Sequence, residues 1–240
     1  MAENTPGGKT VGPAEVGMVP EAGLAASHRI CGTATMTRTE TEIHELLSQH
    51  GRTFAAEAGI RLDDTPAPLF QLLVLATLLS ARISAGLAVR GMQALLDDGL
   101  TTVDKMAEAS WEHRVKVLNE SGYARYDEST SRMLGDTCAI LQETYGGDLR
   151  KLREAAKQDP AQEHARLKKF KGIGDVGAAI FLREVQGIWP EVYPYADRKV
   201  LQAAERQGLP TDTDELSQLC RREDFPRLVA AIIRVDLAQG

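Results

Sequence analysis

The fold-deciding stretch is residues 167–200, LKKFKGIGDVGAAIFLREVQGIWPEVYPYADRKV. Two glycines, Gly172 and Gly174, follow an apolar helix end, and a second apolar helix is predicted over about 176–185. The loop after it delivers Asp197 to the head of another helix. Glycine permits a positive φ and a close approach of backbone to a ligand. Because peptide N–H groups at such a turn and helix N-terminus suit a phosphate, the stretch predicts an anion-binding turn followed by a carboxylate.

The same stretch resembles the helix-hairpin-helix of the endonuclease III-like DNA glycosylase superfamily. That motif reads apolar–Pro–Gly–apolar–Gly, followed after two more residues by a small residue and Ala. Residues 170–178, FKGIGDVGA, stand in its place, with Gly177 as the small residue. The family then places an aspartate after a loop at the head of a helix, which corresponds to Asp197. The resemblance covers roughly residues 37–240.

The resemblance implies that the hairpin contacts DNA. The expected contacts are the basic side chains before the turn and the residues of the turn and second helix: Lys168, Lys171, Gly172, Ile173, Gly174, Val176 and Gly177. A solvated helix face is the alternative for Lys168 and Lys169. The family's leucine-leucine-Ser-Ala-Gln segment reads LLSAR over residues 78–82, so Arg82 replaces the glutamine that lies in the DNA groove. Arg82 is therefore a candidate wedge in the duplex; a surface arginine is the alternative.

Asp197 is the candidate catalytic residue by this resemblance. Removal of a base passes through an oxocarbenium-like sugar, which a carboxylate can stabilise while it activates water. The helix N-terminus, Arg198 and Lys199 are expected to keep Asp197 ionised. An N-cap without chemistry is the alternative, since aspartate before an apolar helix is a common cap, and the two roles can coexist.

Bifunctional members of the family carry a lysine two residues beyond the second glycine, and that position is Val176 here. Valine is no nucleophile, so the resemblance implies base release by water without a lysine-based lyase step. Lys171 and Lys199 are the alternative amines. Tyr123, Tyr126 and Lys199 are candidates for the substrate pocket, and packing on neighbours is the alternative for each tyrosine.

The composition is that of an ordinary globular protein: 240 residues, 43% hydrophobic and 26% charged. No apolar run approaches the roughly 20 residues that span a bilayer, and no signal peptide is evident. We therefore expect a cytoplasmic protein with no membrane association, associated with the nucleoid if it is bacterial. Cys31, Cys138 and Cys220 lack metal-ligand spacing. Compared with family members that hold an iron–sulfur cluster in a four-cysteine loop, this chain is expected to lack the cluster, any other metal and any cofactor.

The net charge of −6 argues mildly against a nucleic-acid partner. Binding depends on local patches, however, and basic residues cluster just before the turn, at Arg166, Lys168, Lys169 and Lys171. Few phosphate contacts would give modest affinity and a shallow dependence on salt.

The periodicity predicts an all-α chain of about eleven helices, with no convincing strand. The predicted helices cover about 37–58, 69–81, 84–96, 102–109, 111–121, 128–145, 149–157, 176–185, 199–207 and 214–222. A further helix is predicted to start at residue 160 and to lead into the hairpin, and the last helix is predicted to start within residues 224–226. Residues 1–36 are expected to be disordered.

The resemblance implies two helical lobes, with the helix-hairpin-helix inside one of them. One lobe is a bundle over 63–188; the other is discontinuous and joins 37–62 to 189–240. The cleft between them would hold the damaged base, with Asp197 at its edge.

The function expected from these residues is that of a monomeric, monofunctional DNA glycosylase in base excision repair. Its substrate would be double-stranded DNA with a damaged or mispaired base flipped out of the helix. Oxidised pyrimidines, alkylated purines, uracil and adenine mispairs all stay open. Two other functions also stay open: a non-catalytic, damage-sensing DNA-binding protein, and a helical interaction protein with no role on DNA.

Overall fold

The computed structural model describes Met1 and residues 38–239. The fold below belongs to the compact unit that spans Met36–Gly240. The expected disorder of residues 1–36 and the residue Cys31 lie outside the described residues.

Residues 38–239 form thirteen α-helices and one 3-10 helix and contain no strand, so the all-α prediction is confirmed for that range. The helices are α1 (Arg38–His50), α2 (Phe54–Glu57), α3 (Pro66–Leu79), α4 (Ala85–Asp97), α5 (Val103–Glu108), α6 (Trp111–Glu120), α7 (Asp127–Tyr145), α8 (Leu149–Ala155), α9 (Pro160–Leu167), α10 (Asp175–Val185), α11 (Arg198–Arg206), α12 (Thr213–Ser217) and α13 (Phe225–Gln239), with the 3-10 helix at Arg222–Asp224.

Side-chain caps explain where most of these helices begin. Serine, threonine or aspartate accepts a hydrogen bond from a backbone N–H of the first turn, which satisfies a donor that the helix itself leaves unpaired. The capping residues are Thr53, Ser84, Thr102, Ser110, Asp148, Asp159, Asp197 and Asp212.

The stretch predicted to be helical over residues 37–58, with a kink or an interruption at Gly51, forms two helices that are separated at that glycine. α1 ends at His50, and α2 begins only at Phe54. The physical reason is a second helix start: Glu184 accepts hydrogen bonds from the N–H groups of Phe54 and Ala55, both at 3.0 Å. The predicted helix over 214–222 is also shorter and ends at Ser217.

Helix α3 is the centre of the core, as its uniformly apolar sequence predicts. Every residue from Leu69 to Leu78 except Gln71 is buried, and α3 packs against α4, α7, α8 and α10. No helix within residues 38–239 combines the length and the apolar character needed to cross a bilayer.

Helix α13 organises the rest of the unit, because it packs against α1, α10 and α11. Helix α10 contacts both α3 and α13 and so joins the two sets of helices. The division into lobes over 63–188 and over 37–62 with 189–240 stays a prediction.

Arg153 on α8 joins three segments through buried or half-buried charges. It pairs with Glu191, whose Oε2 lies 2.7 Å from Nη2, and with Asp64, whose Oδ2 lies 3.1 Å from Nη1. The Trp189 indole N–H donates to the other oxygen of Asp64 at 3.0 Å. The loop before α11 is therefore fixed to α8 and to the segment that precedes α3.

Beside this network lies Glu163, a fully buried residue whose carboxylate oxygens have no hydrogen-bond partner in the described structure. Burial, and next the charge of Glu191, raise the pKa of Glu163 from 4.5 to about 8. Arg153 opposes the rise, and Asp159 adds to it. Between these pH values the unfolded chain releases a proton that the folded chain keeps. The free energy of unfolding should therefore fall as pH rises from about 4.5 to about 8.

We predict that Glu163→Gln flattens this dependence, because a neutral amide has no proton to lose. At pH 5 the variant and the wild type should have similar stability. At pH 8.5 the variant should be more stable by on the order of 2 kcal/mol. Urea unfolding at both pH values measures this, with the exposed Glu154→Gln on α8 as the matched control. Parallel pH profiles for wild type and Glu163→Gln would show that Glu163 keeps no proton.

Candidate DNA-binding and active site

The hairpin turn depends on one left-handed glycine. Gly172 has φ +83°, and a Cβ there would lie 2.8 Å from Met133 Sδ and 3.1 Å from Thr77 Cγ2. Gly174 precedes α10 in an extended conformation, and a Cβ at that position would have no neighbouring atom within 4 Å. The turn therefore packs against α3 and α7 at Gly172 and is open at Gly174.

A second close approach occurs at the start of α10. A Cβ on Gly177 would lie 2.7 Å from Ser80 Oγ and 3.1 Å from Ile173 Cδ1, and Ile173 itself is buried. Absence of a side chain at Gly177 thus lets α10 lie against the end of α3. Since no side chain caps α10, the N–H groups of its first turn are available to an anion.

The basic residues before the turn differ in their partners. Lys168 Nζ lies 2.5 Å from Asp175 Oδ1, and this contact lowers the pKa of Asp175. Its ammonium therefore neutralises a carboxylate that would otherwise repel a phosphate at the head of α10. Lys169 and Lys171 are exposed and form no ion pair with any of residues 38–239. Unlike Lys168, these two lysines have ammonium groups next to the turn that are not paired with any carboxylate in that range.

Asp197 caps α11, as the cap alternative predicts, with Oδ1 accepting the Val200 N–H at 3.4 Å. Asp197 also forms a bidentate contact with Arg183, which the sequence did not predict. Arg183 Nε donates to Oδ1 at 2.9 Å, and Nη2 donates to Oδ2 at 2.6 Å. The two side chains are only 10% and 20% exposed, so this charge pair is shielded.

Arg183 takes the place expected for Arg198 and Lys199, which flank Asp197 but are exposed. A signal for it exists in the sequence. Arg183 and Glu184 stand together inside the apolar run of α10, and charges in a buried helix need partners. The signal does not say which partner each residue has.

Glu184 fixes a second helix start, since it accepts the N–H groups at the head of α2. Burial raises the pKa of Glu184, and these two backbone hydrogen bonds oppose the rise. Two adjacent residues of α10 therefore hold the first turns of two other helices, α2 and α11.

A cavity of about 240 Å³ lies beside these contacts. Arg183 and Glu184 form part of its wall, together with Val176 and Lys199. Val176 is 58% exposed, so its side chain is accessible to a ligand. The cavity thus brings together two sequence-predicted site residues and the arginine that holds Asp197.

A second depression adjoins the hairpin turn. Arg82, Tyr126, Met133 and Gly172 line it, and Arg82 is exposed. The Arg125 guanidinium lies 5.4 Å from the centre of the half-buried Tyr126 ring. Arg82 and Tyr126 therefore share one surface with the turn, as a wedge into DNA would require.

The expectation for Tyr123 needs correction, because it is a core residue with 2% exposure. Gly122, with φ +89°, ends α6, and the Tyr123 N–H bonds Leu118 O at 3.0 Å. This C-terminal motif turns the following side chain inward. Its hydroxyl donates to Leu78 O at 3.4 Å, and burial raises the pKa of Tyr123. Packing on neighbours, the alternative, accounts for this tyrosine.

Cys138 is buried and Cys220 half-buried, and burial raises the pKa of their thiols to about 12 and about 11. Among residues 38–239 no three His, Cys, Asp or Glu side chains come together as metal ligands would. The expected lack of an iron–sulfur cluster stays a prediction.

No protein-family model matches the sequence, and no curated protein matches it. Solved structures with similarity include a trapped endonuclease III–DNA covalent intermediate in an estranged-adenine complex. That chain is 18% identical, with a TM-score of 0.44, and the match covers 83% of this chain and 85% of the other. A non-covalent endonuclease III–DNA complex is 17% identical, with a TM-score of 0.46 and the same coverage of both chains.

We predict that Gly172→Ala lowers the free energy of unfolding by about 1–3 kcal/mol, because the methyl group meets Met133 and Thr77 and the backbone has a positive φ. Gly174→Ala is the matched control: its methyl group meets no atom within 4 Å, so only the weaker N-cap preference of alanine should count, at about 1 kcal/mol or less. Chemical denaturation measures both. Equal losses at the two glycines would contradict the packing described for the turn.

Proposed function

We propose that this chain is a DNA glycosylase of base excision repair, which hydrolyses the N-glycosidic bond of a damaged or mispaired base flipped out of duplex DNA. The observation that carries the proposal is the Arg183–Asp197 pair. It fixes a shielded carboxylate at the head of α11, and its arginine lines a cavity beside the hairpin. The arrangement supplies an anion for the sugar and a space for the base.

The contacts of Asp197 define the chemistry that we propose for it. Its two oxygens offer about four acceptor positions. Arg183 uses two of them and the Val200 N–H uses a third. About one remains for a water molecule. A carboxylate so constrained orients that water and stabilises positive charge developing on the sugar, while Arg183 offsets part of its negative charge.

We assign DNA binding to the hairpin and to the depression beside it. The open backbone at Gly174 and the uncapped start of α10 would hold a phosphate, with Lys169 and Lys171 adding charge. Arg82 and Tyr126 would enter the duplex at the gap that the flipped base leaves. The hairpin would thereby set the register of the DNA relative to Asp197.

The partner in this proposal is double-stranded DNA bound by a single copy of the chain, in the compartment where the DNA lies. The chain would be monofunctional, because Val176 stands where lyase members of the resembling superfamily carry their lysine. Two lobes, with the base in the cleft between them, complete the proposal.

A second function, damage sensing without catalysis, is favoured by the same pair of residues. Because Arg183 contacts both oxygens of Asp197, the carboxylate is partly neutralised before any substrate binds. A protein that only recognises an extruded base would need the cavity and the hairpin but no reactive carboxylate.

We predict that Asp197→Asn lowers base release at least about 100-fold while DNA binding persists, since the amide can still cap α11 but carries no charge. Because the variant leaves Arg183 without its counter-charge, both activities are measured at a temperature where thermal denaturation shows the variant to be folded. The assay is base release from duplexes containing uracil, an oxidised pyrimidine, an alkylated purine or an adenine mispair. Asp212→Asn is the control, because Asp212 is an exposed cap of α12 outside the site.

Two results would overturn this assignment. Equal base release by wild type and Asp197→Asn would remove the role of the carboxylate. Tight binding of damaged duplexes by the wild type, with no release from any of them, would establish the damage-sensing function instead.

We predict that borohydride traps no covalent adduct between the wild-type chain and a duplex with an abasic site, because trapping requires an imine formed by an amine. Val176→Lys is a useful comparison, since it restores an amine at the head of α10. A trapped adduct with wild type that disappears in Lys199→Ala would show that the chain has a lyase step at Lys199.

A further inference from the structure

Most of the side chains that line the cavity beside Arg183 are apolar. They come from α2, α10 and α13 and from the segment that runs from the end of α3 to the start of α4, and they include Leu79, Ile83, Ile180, Val229, Ala230 and Ile233. Only Ser80, Arg183, Glu184 and Lys199 contribute polar side chains.

Three of these four polar side chains already have partners. The Arg183 fork holds Asp197, and the two oxygens of Glu184 accept from the head of α2. The Ser80 hydroxyl donates to Ala76 O at 2.6 Å. The polar groups that stay free in the described part of the chain, the Arg183 Nη1 and the Lys199 ammonium, are donors, so a ligand in the cavity would find donors on its walls but few acceptor side chains.

Lys199 is the remaining polar group of the wall. It is exposed and forms no ion pair with any of residues 38–239. An ammonium there repels a cationic ligand. The carboxylate in the wall, Glu184, already accepts hydrogen bonds from the head of α2. A neutral aromatic face, in contrast, attracts an ammonium.

The size of the cavity limits its occupant. A volume of about 240 Å³ lies below the roughly 300–1,000 Å³ typical of sites for drug-sized ligands. It therefore suits a single flat ring system, and a nucleobase is such a group.

These features discriminate between normal and modified bases. An unmodified base would bring the N–H donors of its pairing edge against walls that supply few acceptors, and each unpaired polar group costs a factor of about 5–150 in affinity. A base whose pairing edge is covered by an alkyl or etheno group avoids that loss and fills the apolar walls.

We propose that this cavity selects a neutral nucleobase whose hydrogen-bonding edge is masked by an alkyl or etheno group. The proposal rests on the function proposed above and names the substrate class of the same site. It requires only that the base enters the cavity, so it can be tested by binding without base release.

The test uses the wild-type chain, in which Arg183 stays paired with Asp197, and three duplexes that differ at one base opposite thymine: ethenoadenine, adenine and N1-methyladenine. The sugar of that nucleotide carries a 2′-fluorine, which prevents base release. Ethenoadenine is fluorescent, so its emission reports whether the base leaves the stack. N1-methyladenine has a masked edge but is cationic at neutral pH. We expect the ethenoadenine duplex to bind at least about 10-fold more tightly than the adenine duplex. The N1-methyladenine duplex should show no such gain.

Two variants, measured with the same 2′-fluoro duplexes, separate the role of the cavity from that of the DNA-binding hairpin. Lys199→Gln should tighten binding of the N1-methyladenine duplex and keep the preference for ethenoadenine. Lys171→Gln, outside the cavity, should weaken binding of all three duplexes alike. A third variant, Ala230→Leu, should abolish the preference for ethenoadenine by filling the cavity, and Lys199→Gln still tests the proposal if that variant does not fold.

Equal affinity for the ethenoadenine and adenine duplexes would overturn the inference. So would a preference of the wild-type chain for the cationic base. The proposed function fails separately, when wild type releases no base from any lesion. Base release without a binding preference for masked bases overturns the cavity inference alone. A binding preference for masked bases without any base release supports the cavity inference and indicates a damage-sensing protein.

Discussion

Two buried charges stand side by side on α10, Arg183 and Glu184, and each is satisfied by a segment that is distant in sequence. Removing one partner of such a buried pair typically costs about 3–5 kcal/mol, because the other charge is left uncompensated. The contacts therefore hold the first turns of α2 and α11 against α10. The cavity lies where these helices meet, so its shape depends on this pair of residues.

The same contact that positions Asp197 also restrains its chemistry. A carboxylate held by two guanidinium N–H groups has a fixed direction and a reduced net charge. Fixed direction favours catalysis by preorganisation, and reduced charge opposes it. In the function that we propose, the balance between these two effects, rather than the presence of an aspartate, would separate a glycosylase from a damage sensor.

Features set by nearby residues could be read from the sequence, and those set by distant contacts could not. Helix periods, the cap at Asp197 and the two-glycine turn are local, and the structure has them. The Arg183–Asp197 pair joins α10 to the head of α11 across a loop, and Glu184 meets a segment about 130 residues away. Tyr123 was misassigned because its place in a loop says nothing about the direction of its ring, which the glycine before it decides.

Ser80 and Ala81 line both the cavity beside Arg183 and the depression that holds Arg82 and Tyr126. The partition between the two openings is therefore a single short piece of backbone with small side chains. A DNA strand that lies across it would have its extruded base on one side and the inserted side chain on the other. In the proposed function, insertion of the side chain into the duplex and entry of the base into the cavity would then occur together, on the two sides of the backbone at Ser80 and Ala81.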